Sequence, residues 1–300
     1  MKTYSDCIPC FARQAIDAAR FHHLSESDTE ILLRQTLARV CDVDWQRPPP
    51  LIGRDIHNTL KEIMKLEDPY LVQKQEQTLT ALSLLPQIQE RIAAAKNSFA
   101  EIIRFSIAGN AIDLGAKTTV SVDVNTTFKD AMHKALPDDA ISALQAEIDR
   151  AESVLFITDN CGEVVFDRPL MDYIGADKLR IGMRGRPTIN DVTINDAAMS
   201  EIPPEYTIIS NGSDIPGTWL PECAPAFVEA FNTADVVIAK GQGNYETLSQ
   251  SNRSIYHLLL VKCPVIAHDT QLPVGTYIVQ KRKDGCIVSL DPKYAHCGGE

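Results

Sequence analysis

The sequence predicts an α/β protein in which an all-helical N-terminal region packs on a three-layer α/β/α core with a mostly parallel sheet. Three observations lead there. From about residue 150, short apolar runs alternate with helix-length segments, the pattern of parallel strands joined by right-handed crossovers. Several runs are unbroken, as in Val236-Val237-Ile238-Ala239, and strands buried on both faces read in that way. Before residue 118, strand signals are scarce and apolar residues recur at helical spacing. The expected organisation is a helical region over 1–115 and a Rossmann-like α/β core over 116–300, with its strands mainly from residue 153.

A first helix is expected from Cys7 to about Arg20. Ser27 and Glu30 read as a capping box for a second, which carries Ile31, Leu32, Leu37 and Val40. The run Pro48-Pro49-Pro50 starts a third helix, with Leu51, Ile52, Ile56, Leu60, Ile63 and Met64 near one face, and Pro69 closes that segment. An amphipathic stretch from Tyr70 to about Ala95, interrupted at Pro86, is followed by a helix from Ser98 to Ile107. Thr118 to Val124 is the one strand candidate in this half. Later strands are expected at 153–158, 179–183, 206–209, 235–239 and 255–261, with another near 264–267 and an edge strand at 276–281. Neither an internal repeat nor a low-complexity segment is visible.

The 300 residues are 44% apolar and 23% charged, ordinary values for a globular protein. A formal net charge of -11 disfavours non-specific nucleic-acid binding, and an anionic substrate would need a local positive device such as a metal ion or Lys240. No stretch approaches the ~20 apolar residues of a membrane span, and the polar start lacks a signal-peptide core, so a cytoplasmic location is expected. The eight cysteines are scattered, and a chain of this size does not require disulfide staples. Cys7-Ile8-Pro9-Cys10 is half of a zinc-type site, which Cys263 or the tail residues Cys286, His296 and Cys297 could complete in space. Its plain alternative is a pair of packed thiols.

The most informative segment is Phe156-Ile157-Thr158-Asp159-Asn160-Cys161-Gly162-Glu163, which places an acid and an amide where a buried strand ends. Ligands of open α/β sheets gather at the carboxyl ends of the strands, so Asp159 and Asn160 are candidates to hold a hard metal ion or a phosphate. An Asx pair before a helix also reads as an N-cap. Two more segments follow strand candidates: Asn190-Asp191-Val192-Thr193-Ile194-Asn195-Asp196 and Lys240-Gly241-Gln242-Gly243-Asn244-Tyr245-Glu246. Lys240 supplies positive charge, Gly241 and Gly243 let the backbone approach closely, and amides opening a helix at about Asn244 can donate to an anion. The order of lysine and glycines is not that of a Walker A loop. Glu163 either complements the dipole of the helix it begins or supports the site.

These motifs, with Lys262-Cys263-Pro264-Val265-Ile266-Ala267, resemble the metal-dependent damage-control phosphatases, also known as domain of unknown function 89. Cys7 and Cys10, Pro49-Pro50, Asp68-Pro69-Tyr70 and the run from Ala108 to Asp113 resemble its mainly prokaryotic branch, so the likeness extends to about residue 283. It implies a divalent metal held by Asp159, Asn160 and Asp196, with Lys240 and its glycine loop on the phosphate and Asn110 and Asp113 reaching the substrate. The spacing alone leaves Asp196 as a surface acid, and Asn190 or Asp191 as a cap.

Carboxylate and amide oxygens suit Mg²⁺, Mn²⁺, Co²⁺ or Ni²⁺. The expected activity is hydrolysis of phosphomonoesters of small metabolites, sugar phosphates or damaged phosphometabolites, with Asp159 and Lys240 as catalytic residues. Asp159 as a covalent nucleophile ranks second, because Cys161 stands where aspartyl-phosphate enzymes carry a second Asp. Two rivals come from other classes: an S-adenosylmethionine-dependent carboxyl methyltransferase, and a non-catalytic metal or redox protein built on Cys7 and Cys10. The first lacks a glycine-rich turn after its first α/β strand. Oligomeric state is not legible.

Overall fold

The structure is a computed structural model that describes residues 1–111, 130, 131 and 133–288. Five helices come first: α1 (Cys7–Phe21), α2 (Glu26–Cys41), α3 (Pro50–Met64), α4 (Leu71–Ala94) and α5 (Ser98–Ala111). After α6 (Asp138–Arg150) strands and helices alternate: β1 (Val154–Ile157), α7 (Glu163–Ile174), β2 (Leu179–Met183), β3 (Thr207–Ser210), α8 (Pro225–Thr233), β4 (Val236–Lys240), α9 (Gly241–Leu248), β5 (Ile255–Leu260), α10 (Pro264–Thr270), β6 (Tyr277–Lys283) and β7 (Cys286–Ile287).

The seven strands form one sheet in the order β3-β2-β1-β4-β5-β6-β7. β3, β2, β1, β4 and β5 run parallel, whereas β6 and β7 are antiparallel additions at one edge. The chain builds outward from β1 through β2 to β3, then returns to place β4 on the other side of β1. That reversal opens a crevice at the carboxyl ends of β1 and β4, where doubly wound sheets bind their ligands. The loops after these two strands begin with Thr158-Asp159-Asn160 and with Gly241.

All four residues of β1 are buried, as an unbroken apolar strand between two layers requires. On one face Val154 and Phe156 join Ile181, Ile238 and Tyr256; on the other Leu155 and Ile157 meet Phe227 and Phe231 of α8. Phe99, Ile102 and Ile103 of α5 belong to the first of these clusters, so the last N-terminal helix is part of the sheet's own core. Phe105 of α5 also packs with Ala81 and Leu85 of α4 and with Val165 and Phe166 of α7.

Several elements differ from expectation. The segment 264–267 is not a strand: Pro264 takes the first position of α10, where its missing N–H costs nothing. The N-cap of α2 is Ser25, whose Oγ accepts from the Asp28 amide at 3.1 Å, and not Ser27. α4 continues through Pro86, which is exposed. The strand candidate Thr118 to Val124, together with Asp113, His296 and Cys297, lies outside the described residues. No helix among the described residues is long and apolar enough to cross a membrane.

Candidate active site

Three loops converge at the switch point, and the backbones of two of them are zipped together. The Cys161 amide donates to Asn190 O at 2.8 Å and the Val192 amide to Asp159 O at 2.9 Å, so Asn160 and Asp191 face each other across a bridge. The third loop closes over Asp159 at Gly241, which has φ +75°, a conformation suited to glycine. A Cβ at Gly241 would stand 1.9 Å from Asp159 Oδ2.

Asp159 and Asn160 do not cap α7. The N-cap is Gly162 (φ +76°), with no side-chain hydrogen bond, which removes the plain reading of the Asx pair. Instead, Asp159 and Glu163 are tied by two amides. Asn110 Nδ2 donates to Asp159 Oδ2 and Glu163 Oε2, both at 3.0 Å, and Asn160 Nδ2 donates to the same two oxygens at 2.8 and 3.0 Å. Asn110, at the end of α5, thereby brings the helical region into the site. With its amine turned inward, Asn160 leaves Oδ1 as an open acceptor.

Beneath these groups lies a buried ionic cluster. Lys240 Nζ donates to Glu163 Oε1 at 2.8 Å, Asp167 Oδ1 at 2.5 Å and Ser106 O at 2.8 Å. Ser106 Oγ donates to Asp167 Oδ1 at 2.6 Å. Burial disfavours the Lys240 charge, but Asp167 and Glu163 outweigh it and hold its pKa above the usual lysine value. The lysine expected on a phosphate therefore has all three of its protons engaged beneath the acids.

Arg184 makes the second buried cation. Its Nε donates to Asp191 Oδ2 at 2.6 Å, its Nη1 to Thr218 Oγ1 and its Nη2 to Asn244 Oδ1, each at 3.2 Å, and Nη2 lies 3.8 Å from Asp159 Oδ1. Asn244 is wholly buried and donates to Thr158 O and Lys240 O at 2.9 and 2.7 Å, lacing the end of β1 to that of β4. Its side chain thus serves the scaffold, and so does Gly243, where a Cβ would meet Pro216 O at 2.1 Å.

Asp196, the acid implied by resemblance, is paired through one of its oxygens. Its Oδ2 accepts from the Thr193 amide at 2.9 Å, from Thr193 Oγ1 at 2.6 Å and from Lys74 Nζ at 2.6 Å. Lys74, buried on α4, also binds Asp68 Oδ2 at 2.8 Å. Of the two acids in this loop, Asp191 is the one whose charge bears on Asp159. Burial, followed by the charges of Glu163 and Asp191, holds the Asp159 carboxyl well above the usual carboxylate range against the pull of Arg184 and Lys262.

Cys7 is buried, Cys10 exposed and Cys263 half-buried, all as free thiols. Burial pushes Cys7 up to about 11, and burial, with a smaller push from Glu246, also holds Cys10 and Cys263 above their ordinary value. These are protonated thiols at neutral pH. No three His, Cys, Asp or Glu side chains among the described residues stand ready to hold a metal without help from an amide or water.

Sequence reasoning weighed Asp191 only as a cap and missed Asp167, Ser106, Lys74 and Thr218. Asp167 carried a signal: it stands four residues after Glu163, on the same face of the helix.

A family model described as the damage-control phosphatase ARMT1-like domain matches residues 3–278. A damage-control phosphatase of Pyrococcus horikoshii is 32% identical over 295 residues, covering 94% of this chain and 99% of that protein. A damage-control phosphatase of Archaeoglobus fulgidus is 31% identical over 231 residues, 75% of this chain and 80% of that protein. The crystal structure of a DUF89 family protein from Pyrococcus horikoshii superposes with a TM-score of 0.84 at 30% identity, covering 94% of this chain and all of that one. The chain belongs to the ARMT1-like damage-control phosphatase family.

Proposed function

We propose that this protein hydrolyses phosphomonoesters of small phosphorylated metabolites with a divalent metal held by Asp159, Asn160 and Asp191. The carrying observation is a crowding of buried acids at the switch point. Asp159, Asp191, Glu163 and Asp167 are buried there against two buried cations, Lys240 and Arg184. Crowded buried carboxylates repel one another, as the raised Asp159 carboxyl reflects, and a doubly charged ion at these oxygens would relieve that repulsion. The donors fit such an ion, being carboxylate oxygens and the open Asn160 Oδ1, which suit Mg²⁺, Mn²⁺, Co²⁺ or Ni²⁺. The names of the relatives support phosphatase chemistry.

When bound, the ion would polarise a phosphoryl oxygen and acidify a water. The protein's own groups prepare the place. Asn110 and Asn160 fix Asp159 and Glu163 against each other, while Lys240 binds Glu163 Oε1 and leaves Oε2 to the two amides shared with Asp159. In this reading Lys240 acts on the phosphate through Glu163 and the field it sets up, as a positioning residue. The first amides of α9, at Gly241 and beyond, are the donors for phosphate oxygens. Asp196 and Lys74 brace the loop that carries Asp191.

Stripping the protein with EDTA and restoring Mn²⁺ while following 4-nitrophenyl phosphate hydrolysis tests this. Activity should vanish with the ion, return with it, and be absent from Asp159→Asn. Undiminished hydrolysis in EDTA would overturn the proposal.

A further inference from the structure

α4 sets Lys74 and Gln77 against the loop that carries Asp191, with Gln73 one turn before Gln77, and the two glutamines hold polar atoms without a partner. Gln73 is 8% exposed, yet neither its Nε2 nor its Oε1 is hydrogen-bonded. Gln77 is 4% exposed; its Oε1 accepts from Asn190 Nδ2 at 3.3 Å, while its Nε2 is unpartnered. Thr188 Oγ1, in the same loop as Asn190, is buried and unpartnered as well. Residues 73 and 77 are one turn apart on one face of the helix. The Gln77 carbonyl oxygen lies 3.1 Å from where a Cβ on Gly162 would be, so this turn of α4 also abuts the loop holding Asp159 and Asn160.

Buried polar atoms are normally satisfied within the fold, as those of Asn244 are, and each exception weakens stability unless something else satisfies it. Four unpartnered atoms from three side chains, on one turn of α4 and on the rim loop that Gln77 meets, are therefore better explained by a ligand than by packing. Their chemistry is neutral and mixed: two amide donors, one amide acceptor and a hydroxyl that is both. An alcohol hydroxyl, itself donor and acceptor, matches that set. A carboxylate or a second phosphate would leave Gln73 Oε1 unsatisfied, and an aryl group would leave all of them so.

We propose that Gln73 and Gln77 of α4, with Thr188, are specificity-determining residues that hydrogen-bond the hydroxyl groups of the substrate's organic part. This rests on the phosphatase reading above. It assigns to the helical region the choice of substrate, and to the sheet rim the metal and the phosphate.

The test uses the whole protein loaded with Mn²⁺, a hexose phosphate and 4-nitrophenyl phosphate as substrates, and the variants Gln73→Leu, Gln77→Leu and their combination. The ratio of kcat/KM for the hexose phosphate to that for the aryl phosphate should fall on the order of tenfold per amide, mainly through KM, because each amide loses one neutral hydrogen bond. Ion-free Gln73→Leu should melt at or above the wild-type temperature, since it removes two unsatisfied atoms. Where Gln73→Leu does not fold, Gln73→Met replaces it. An unchanged ratio, even with activity lowered in parallel on both substrates, overturns the proposal. If the wild type hydrolyses neither compound, the phosphatase reading fails, and protection against melting by the hexose phosphate decides this one. Protection that is lost in the double variant upholds it; protection equal in both proteins, or absent from both, overturns it.

Discussion

Replacing Gly241 by alanine should disarm the site by moving a single carboxylate. At φ +75° an alanine carries about 1–2 kcal/mol of backbone strain. The added Cβ would lie 1.9 Å from Asp159 Oδ2, where real Cβ contacts keep at least 3.0 Å, so the carboxylate must retreat by about 1 Å or the loop must lift by as much. Displacements of that size in a positioned group cost on the order of 10² in rate. Asp159 would also leave the two amides that fix it against Glu163. The assay is a Mn²⁺ titration of 4-nitrophenyl phosphate hydrolysis beside a melting curve, with Gly243→Ala as the control. In the control a Cβ meets Pro216 O at 2.1 Å and not Asp159, so stability should fall while Mn²⁺ affinity holds. Turnover within threefold of wild type in Gly241→Ala, at unchanged Mn²⁺ affinity, would refute the reasoning.

Lys240→Met leaves Glu163 and Asp167 buried without their cation and should cost about 3–5 kcal/mol of stability, read by urea unfolding; a wild-type midpoint would contradict the buried pairing. Glu246, raised by burial to about 7 from 4.5, contributes stability that is complete below about pH 4.5 and lost as pH rises through about 7. Glu246→Gln should therefore flatten the decline between pH 4.5 and 7 by on the order of 3 kcal/mol, and identical pH profiles in urea titrations would dismiss the shift. Replacing Cys7 and Cys10 with serine should lower the melting temperature yet leave turnover intact, because hard-ion donors and thiols select different metals. Turnover lost at unchanged stability, with the Asp159 site still loaded, would speak against that.

Much of the sheet was legible because buried parallel strands write themselves as apolar runs, and Val154 to Ile157 and Val236 to Ala239 do so without interruption. Pro264 to Ala267 misled for the same reason: a short apolar run does not distinguish a strand from a buried helical turn, and here the proline opened a helix. Asp159, Asn160 and Asn110 were legible from their motifs. The partners of Lys240 were not, since an unbroken strand followed by lysine and glycine looks the same whether the amine faces a ligand or two acids on a distant helix, here Glu163 and Asp167 of α7. The reason for preferring Asp191 to Asp196 in the proposed site was likewise hidden. It depends on Lys74, over a hundred residues away, which reaches across from α4 to occupy Asp196.

Electron paramagnetic resonance of bound Mn²⁺ tests the central claim most directly, since it reads the ion without requiring turnover. The wild type should bind one Mn²⁺, Asp159→Asn and Asp191→Asn should bind it at least tenfold more weakly, and Asp196→Asn should keep affinity close to wild type. Affinity lost with Asp196 and kept with Asp191 would return the third ligand to Asp196. Affinity unchanged in all three would contradict a metal at this crevice.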